Sequence, residues 1–345
     1  MNRAPQAINP SEPAPAASAR RRNPYVAFAT RAGAGIAVVA FILWRVDARP
    51  VFHALARERL GWFAVAMAVY LAGQVLSTWR WRLLANITAL GGPFSDYLSY
   101  YFIGMFTNLF VPGLIGGDAA RALYLGRRQS RMGAAIASVI YDRGIGFAAL
   151  FWFAAAMAAT IRTVALPLSL ARAVEVAGML TFAAWMASPI MARAGAAFGG
   201  RLGRFVEPIL PYLRNPLATL PAAILSMILQ AAIAFAQYVI ARGLGLHTPL
   251  TVFLLCVPIA NVAASLPVTL NGLGVREAAY LVLFGYAGIA RPEAIALGLL
   301  WFSATTLAGL TGLIAFVTTK LPTPADETFT PFEVSNGTSS LRQGG

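Results

Sequence analysis

The sequence predicts an all-α, polytopic helical membrane protein with about six to eight spans, together with two re-entrant or broken segments related as an inverted repeat. Three observations predict it. The 345-residue chain is 58% hydrophobic and only 12% charged, about half the charge of an ordinary soluble domain. Apolar runs of spanning length recur along it, and no soluble core of this size could bury so much apolar surface. Finally, Lys320 is the only lysine, so arginine carries almost all of the formal net charge of +14. Those arginines sit in short clusters between the apolar runs, the positive-inside pattern of membrane proteins and not the continuous basic face of a nucleic-acid binder.

Other classes fall away on composition. A single cysteine, Cys256, excludes an internal disulfide framework and any Cys-based zinc or iron–sulfur site. His53 and His247 are too far apart in sequence to suggest metal chemistry, and no Ser-His-Asp order, P-loop or dinucleotide fingerprint appears. No cofactor and no enzymatic activity are expected.

Residues 1–24, rich in Ala, Pro, Ser and Arg, read as a disordered cytoplasmic arm ending in Arg20-Arg21-Arg22. The membrane domain runs over 25–320, and 321–345 form a polar disordered tail. Spans are expected at 25–45 (uncleaved, for want of a small-residue cleavage site), 60–79, 132–160, 173–192, 217–241 and 294–319. Residues 48–58 read as a short amphipathic interfacial segment and 193–215 as a polar loop. Residues 95–125 and 250–290 are apolar but broken by Pro, Gly and charge.

Arginine counts choose the topology. If 95–112 dips into the membrane and returns, with the N-terminus cytoplasmic, fourteen arginines fall inside and seven outside. If it crosses fully, nine fall inside and twelve outside. The positive-inside bias favours the re-entrant version. The localisation expected is the inner (cytoplasmic) membrane, and whether 278–290 is a full span stays open.

The two broken regions match one another. Both read Pro-x-x-x-x-Gly-x-x-x-Arg, as Pro112, Gly117 and Arg121 in the first and Pro267, Gly272 and Arg276 in the second, 155 positions apart. Each has an Asn before the Pro (Asn108, Asn261) and a carboxylate beside the Arg (Asp118, Glu277), and Gly274 adds a further break to the second. Three spans lie between the copies, and an odd number puts their entries on opposite faces. Paired Pro/Gly-interrupted segments are the sequence pointer to a transporter's binding site, because broken backbone at membrane depth needs protein or a wet cavity beside it. Half-helices starting after Gly117 and Gly272 would offer N–H groups to a phosphate, with Arg121 and Arg276 able to clamp it bidentately.

Asp142-Arg143 lies inside an apolar run, where each charge costs about 2.5–3.5 kcal/mol to insert and so faces a cavity or a partner; a later start to the span would leave both at the interface. Trp79-Arg80-Trp81-Arg82 reads as an aromatic belt with snorkelling arginines. The predicted headgroup site is therefore Arg121, Arg276, Asp118, Glu277, Asp142, Arg143, Asn108 and Asn261.

The string from Asn108 to Arg121, Asp142-Arg143-Gly144, and Leu266-Pro267-Val268-Thr269-Leu270-Asn271-Gly272-Leu273-Gly274-Val275-Arg276-Glu277 together resemble the transmembrane region of lysylphosphatidylglycerol synthase and its stand-alone flippase-like relatives. The resemblance spans most of residues 30–320. It implies a helical domain associated with moving phospholipid between leaflets, so the expected partner is an anionic or amine-bearing phospholipid. In bifunctional members a separate cytosolic domain makes the lipid; this sequence runs 25 residues past position 320, so synthase activity is not expected. Two other readings stay open: a membrane transferase on a lipid-linked substrate, and a non-transporting partner of a separately encoded envelope-lipid (hopanoid or glycolipid) enzyme. A homodimer is compatible with all three.

Overall fold

The computed structural model describes residues 48–110, 115–161, 163–196, 203, 206–265 and 274–322. The arm, the expected span 25–45, nearly all of the tail, and the break residues Pro112, Pro267 and Gly272 lie outside the described residues. Within them the chain is helical: α1 (Ala48–Arg57), α2 (Leu60–Ile87), α3 (Phe94–Phe110), α4 (Ile115–Arg128), α5 (Met132–Thr160), α6 (Leu168–Met186), α7 (Ser188–Ala196), α8 (Leu210–Arg214), α9 (Leu220–Gly243), α10 (Leu250–Ala264), α11 (Val275–Gly285) and α12 (Arg291–Thr318). A single 3-10 turn, Pro216–Thr219, leads into α9.

Among the described residues five helices are long and apolar enough to cross a membrane: α2, α5, α6, α9 with its leading turn, and α12. Their outer faces carry exposed large apolar side chains such as Met179, Leu180, Ile314 and Val317. Among the described residues α10 has 15 and α11 has 11, roughly 22 and 16 Å at 1.5 Å per residue. Neither reaches across the roughly 30 Å of hydrocarbon, which answers the question left open over 278–290.

Two expected boundaries are corrected. The span placed at 173–192 is α6, five residues earlier, because Pro167 sets its start and Pro189 opens the separate helix α7. Pro in a helix interior removes a backbone hydrogen bond and clashes with the preceding turn, so it favours helix starts. The second span does not stop at Trp79 but continues to Ile87, burying Arg80 and Trp81.

The helix ends sort into two groups. At the Ile87 end, Arg128 Nε pairs with Asp96 Oδ2 at 3.2 Å, Gln129 Nε2 donates to the Gly91 carbonyl at 2.7 Å and Arg131 Nη1 to that of Thr88 at 2.9 Å. The pair α3–α4 therefore leaves from and returns to the end where α2 finishes and α5 begins, the non-crossing arrangement that the arginine counts favoured. At the opposite end, Glu58 sits against Gly243 and Val51 of α1 packs on Ile295 of α12. There α10 begins and α11 finishes, joined by Phe253 and Phe284 with ring centroids 5.2 Å apart and by Cys256 Sγ donating to the Leu283 carbonyl at 3.6 Å. The two hairpins thus enter from opposite ends of the bundle. α2 runs antiparallel along α9, α12 lies along α3, and α5 packs on both α4 and α10. One core cluster gathers around α9–α12; another, of Trp81, Tyr97, Tyr100, Leu125 and Val139, holds the first hairpin.

Candidate functional site

The first hairpin closes because of glycine. A Cβ added at Gly117 would overlap both the Gly104 carbonyl and the Asn108 side chain, so α3 and α4 approach this closely only without one. The Gly117 N–H then donates to Asn108 Oδ1 at 2.7 Å. This removes one of the four orphan donors of the α4 N-terminus. In the second hairpin Gly274 takes φ +84, and its N–H donates to Glu277 Oε2, which reaches back across the start of α11 as the glutamate half of a capping box does.

The expectation that the first half-helix begins after Gly117 is corrected: α4 begins at Ile115, and α11 begins at Val275. Asn108 and Glu277 each accept from one N–H at those starts, and side chains add positive charge at the site.

α4 and α5 bring those side chains together. Asp142 is 1% exposed and accepts from Arg80 Nε at 2.8 Å through Oδ1 and from Arg121 Nη1 at 2.9 Å through Oδ2. Asp118, one helical turn before Arg121, accepts from Arg121 Nη2 at 3.0 Å and from Arg143 Nε at 2.7 Å. Arg80 Nη1 also donates to Ser226 Oγ of α9 at 3.1 Å. The result is an alternating chain, Arg80–Asp142–Arg121–Asp118–Arg143, drawn from α2, α5 and α4. Each carboxylate lies between two guanidiniums, which is how buried charge is tolerated. The chain carries one positive charge in excess.

The arginines differ in what they have left to give. Arg121 spends three N–H groups on the carboxylates and lies 5.0 Å from the Trp81 ring and 5.4 Å from the Tyr101 ring; its side chain is 4% exposed. Trp81 is itself held by Nε1 donating to Ser138 Oγ at 3.2 Å. Arg143 shares one carboxylate, and 46% of its side chain is exposed.

Tyr70, Gln74, Tyr101, Asn108, Gly117, Asp118, Arg121, Arg143, Arg276 and Thr305 line one cavity of about 230 Å³. Gln74 and Thr305 sit at the midpoints of α2 and α12, and Arg143 lies three residues from that of α5. The cavity is therefore at mid-height of the spanning helices. Arg276 comes from the hairpin that enters from the other end.

Of the predicted residues, the structure brings Asn108, Asp118, Arg121, Arg143 and Arg276 to this cavity, with Asp142 buried behind it. It does not bring Asn261, whose carbonyl accepts from the Ser265 N–H within α10, or Glu277, which is fully buried against Gly298. Arg80 was missed. The Trp-Arg-Trp-Arg string resembles an interfacial belt, yet Leu83, Leu84 and Ala85 beyond it were a signal that the helix continues. Tyr70, Gln74, Tyr101 and Thr305 carried no signal. No group of three His, Cys, Asp or Glu among the described residues could hold a metal ion.

No curated protein and no solved structure matches the chain. A family model described as the lysylphosphatidylglycerol synthase TM region matches residues 28–312, which covers both hairpins and every residue of the charged chain. With its five span-length helices, the protein is a multi-pass membrane protein belonging to the lysylphosphatidylglycerol synthase TM-region family.

Proposed function

We propose that this protein moves an anionic phospholipid between leaflets, passing the headgroup through the mid-height cavity while the acyl tails stay in lipid. One observation carries the reading: Arg143 and Arg276, from elements entering at opposite ends of the bundle, line the same cavity. Guanidinium binds phosphate bidentately, and an excess of positive charge there favours a phosphodiester over a neutral head. Ionisable groups at this depth mark substrate pathways. The hairpins act as an inverted pair, one serving each leaflet, with the N-terminus cytoplasmic and the protein in the inner membrane of a bacterial cell. Asp118 and Asp142 are each engaged by two guanidiniums, which supports transport without covalent chemistry over a transferase needing a free acid or base.

The test is leaflet exchange of labelled phosphatidylglycerol in proteoliposomes. Arg143→Gln with Arg276→Gln is expected to slow exchange by at least about tenfold. An unchanged rate in correctly folded double variant overturns the reading.

A further inference from the structure

A second basic pocket lies at the Gly243 end, well away from the charged chain. Its cavity, about 400 Å³, is lined by Arg59 and Trp62 at the start of α2 and by Arg242, Gly243, Gly245 and His247 from the end of α9 and the turn that follows. We propose that this pocket binds a phosphate group, as a second headgroup site at the surface of the bundle, separate from the mid-height cavity. The proposal goes beyond transport, since it concerns binding at a different place and by different residues.

Four features carry it. Two arginines, Arg59 from the turn before α2 and Arg242 from α9, line one concavity, an arrangement that suits a tetrahedral oxyanion. Arg242 is steadied by Nη1 donating to the Leu246 carbonyl at 3.4 Å. The carbonyls at the end of α9, which would repel an anion, are already occupied: Leu246 N–H donates to Ala241 at 2.9 Å, Leu244 N–H to Ile240 at 3.0 Å and Gly245 N–H to Arg242 at 3.1 Å. This closure depends on Gly245 at φ +83, a Gly-based C-terminal motif.

The fourth feature is a nearby acid. The Glu58 carboxylate presses on Gly243 so closely that a Cβ there would overlap it, and both of its buried oxygens lack a hydrogen-bond partner. Burial pushes this carboxyl up to about 7, so near neutral pH it is uncharged in a large share of molecules and only partly offsets Arg59 and Arg242. Trp62, 39% exposed, places the pocket at the depth where aromatic residues meet lipid headgroups.

A lipid headgroup and free phosphate share this chemistry, and native mass spectrometry of the full chain in detergent separates them. Phosphatidylglycerol titrated onto protein already carrying Arg143→Gln and Arg276→Gln, so that the mid-height cavity does not contribute, is expected to give an adduct that weakens at least about tenfold when Arg59→Gln and Arg242→Gln are added. Because the adduct is read in that background, failure of the transport reading leaves this one standing. Arg59→Lys with Arg242→Lys should retain most of the binding and excludes misfolding as the cause of loss. Displacement of the adduct by inorganic phosphate assigns the pocket to free phosphate, and persistence assigns it to lipid; both support a phosphate site. Affinity unchanged by adding Arg59→Gln and Arg242→Gln overturns the proposal, as does phosphatidylcholine, with its compensating choline cation, binding as tightly as phosphatidylglycerol.

Discussion

The two broken hairpins have similar sequence patterns but are built on different physics. In α3–α4 the joint is backbone contact at Gly104 and Gly117, and the helix start is capped across the hairpin by Asn108. The return helix then commits Asp118 and Arg121 to a charged chain that reaches α5 and α2. In α10–α11 the cap is local, from Glu277 to its own Gly274, and the hairpin is joined by apolar contacts such as Phe253–Phe284. Among its described residues only Arg276 lines the cavity. The first hairpin is thus anchored by charge to the rest of the bundle, and the second is packed against it by shape. This difference teaches that a shared Pro/Gly/Arg frame need not assign shared roles: at the cavity they share, Arg121 is fixed between Asp118 and Asp142, whereas Arg276 arrives from the apolar-packed hairpin.

The largest effect that could break this contrast is removal of its central acid. Asp142→Ala leaves Arg80 and Arg121 buried without a carboxylate between them. Loss of a buried ionic partner costs about 3–5 kcal/mol, so the variant should unfold in much milder denaturant than wild type. A wild-type midpoint would show that the first hairpin does not depend on charge. Next comes Gly117→Ala, whose Cβ has only backbone and Asn108 to push against; about 2–3 kcal/mol of destabilisation is expected, on the scale of overpacking.

A smaller, sharper comparison sets the caps against one another. Asn108→Ala should cost about 1 kcal/mol, an ordinary cap loss. Glu277→Gln keeps an acceptor for Gly274 and should cost less, so equal losses would put the two hairpins on the same footing. Arg143→Gln and Arg121→Gln separate strut from site: the first should lower leaflet exchange with little change in stability, the second should lower both.

The smallest effect belongs to neither hairpin and serves as a control. Glu58 in the folded protein holds its proton up to about pH 7, above its unfolded value. Folded molecules then bind more protons than unfolded ones between the two values, and stability falls as pH rises through that window. Glu58→Gln should therefore raise the melting temperature relative to wild type at pH 8, with the gain vanishing toward pH 4. A gain independent of pH would assign the effect to something other than ionisation.

Much of the fold was legible because its signals are local. Span length and composition found α2, α5, α9 and α12, and the break at Gly274 marked the start of α11. The arginine counts gave the non-crossing first hairpin. Misplacement of α6 came from weighing hydropathy over Pro167 and Pro189, although those prolines were in plain view. At the site, Asp142 and Arg143 were legible as charges too costly to face lipid. Arg80 was not, because its partner lies 62 residues away and its neighbours imitate an interfacial belt. Glu277 carried a readable cap signal, Gly followed three positions later by Glu, that its place in the Arg frame concealed.

By itself the sequence determined membrane class, the main spans and the places where helices break. Lipid cannot satisfy a stray charge or an unpaired peptide, so those constraints are written residue by residue. Only the tertiary structure decided which arginines are held between carboxylates and how much of each is left exposed. That choice depends on which carboxylate meets which guanidinium across α2, α4 and α5, a matter of three-dimensional distance that no spacing along the chain records.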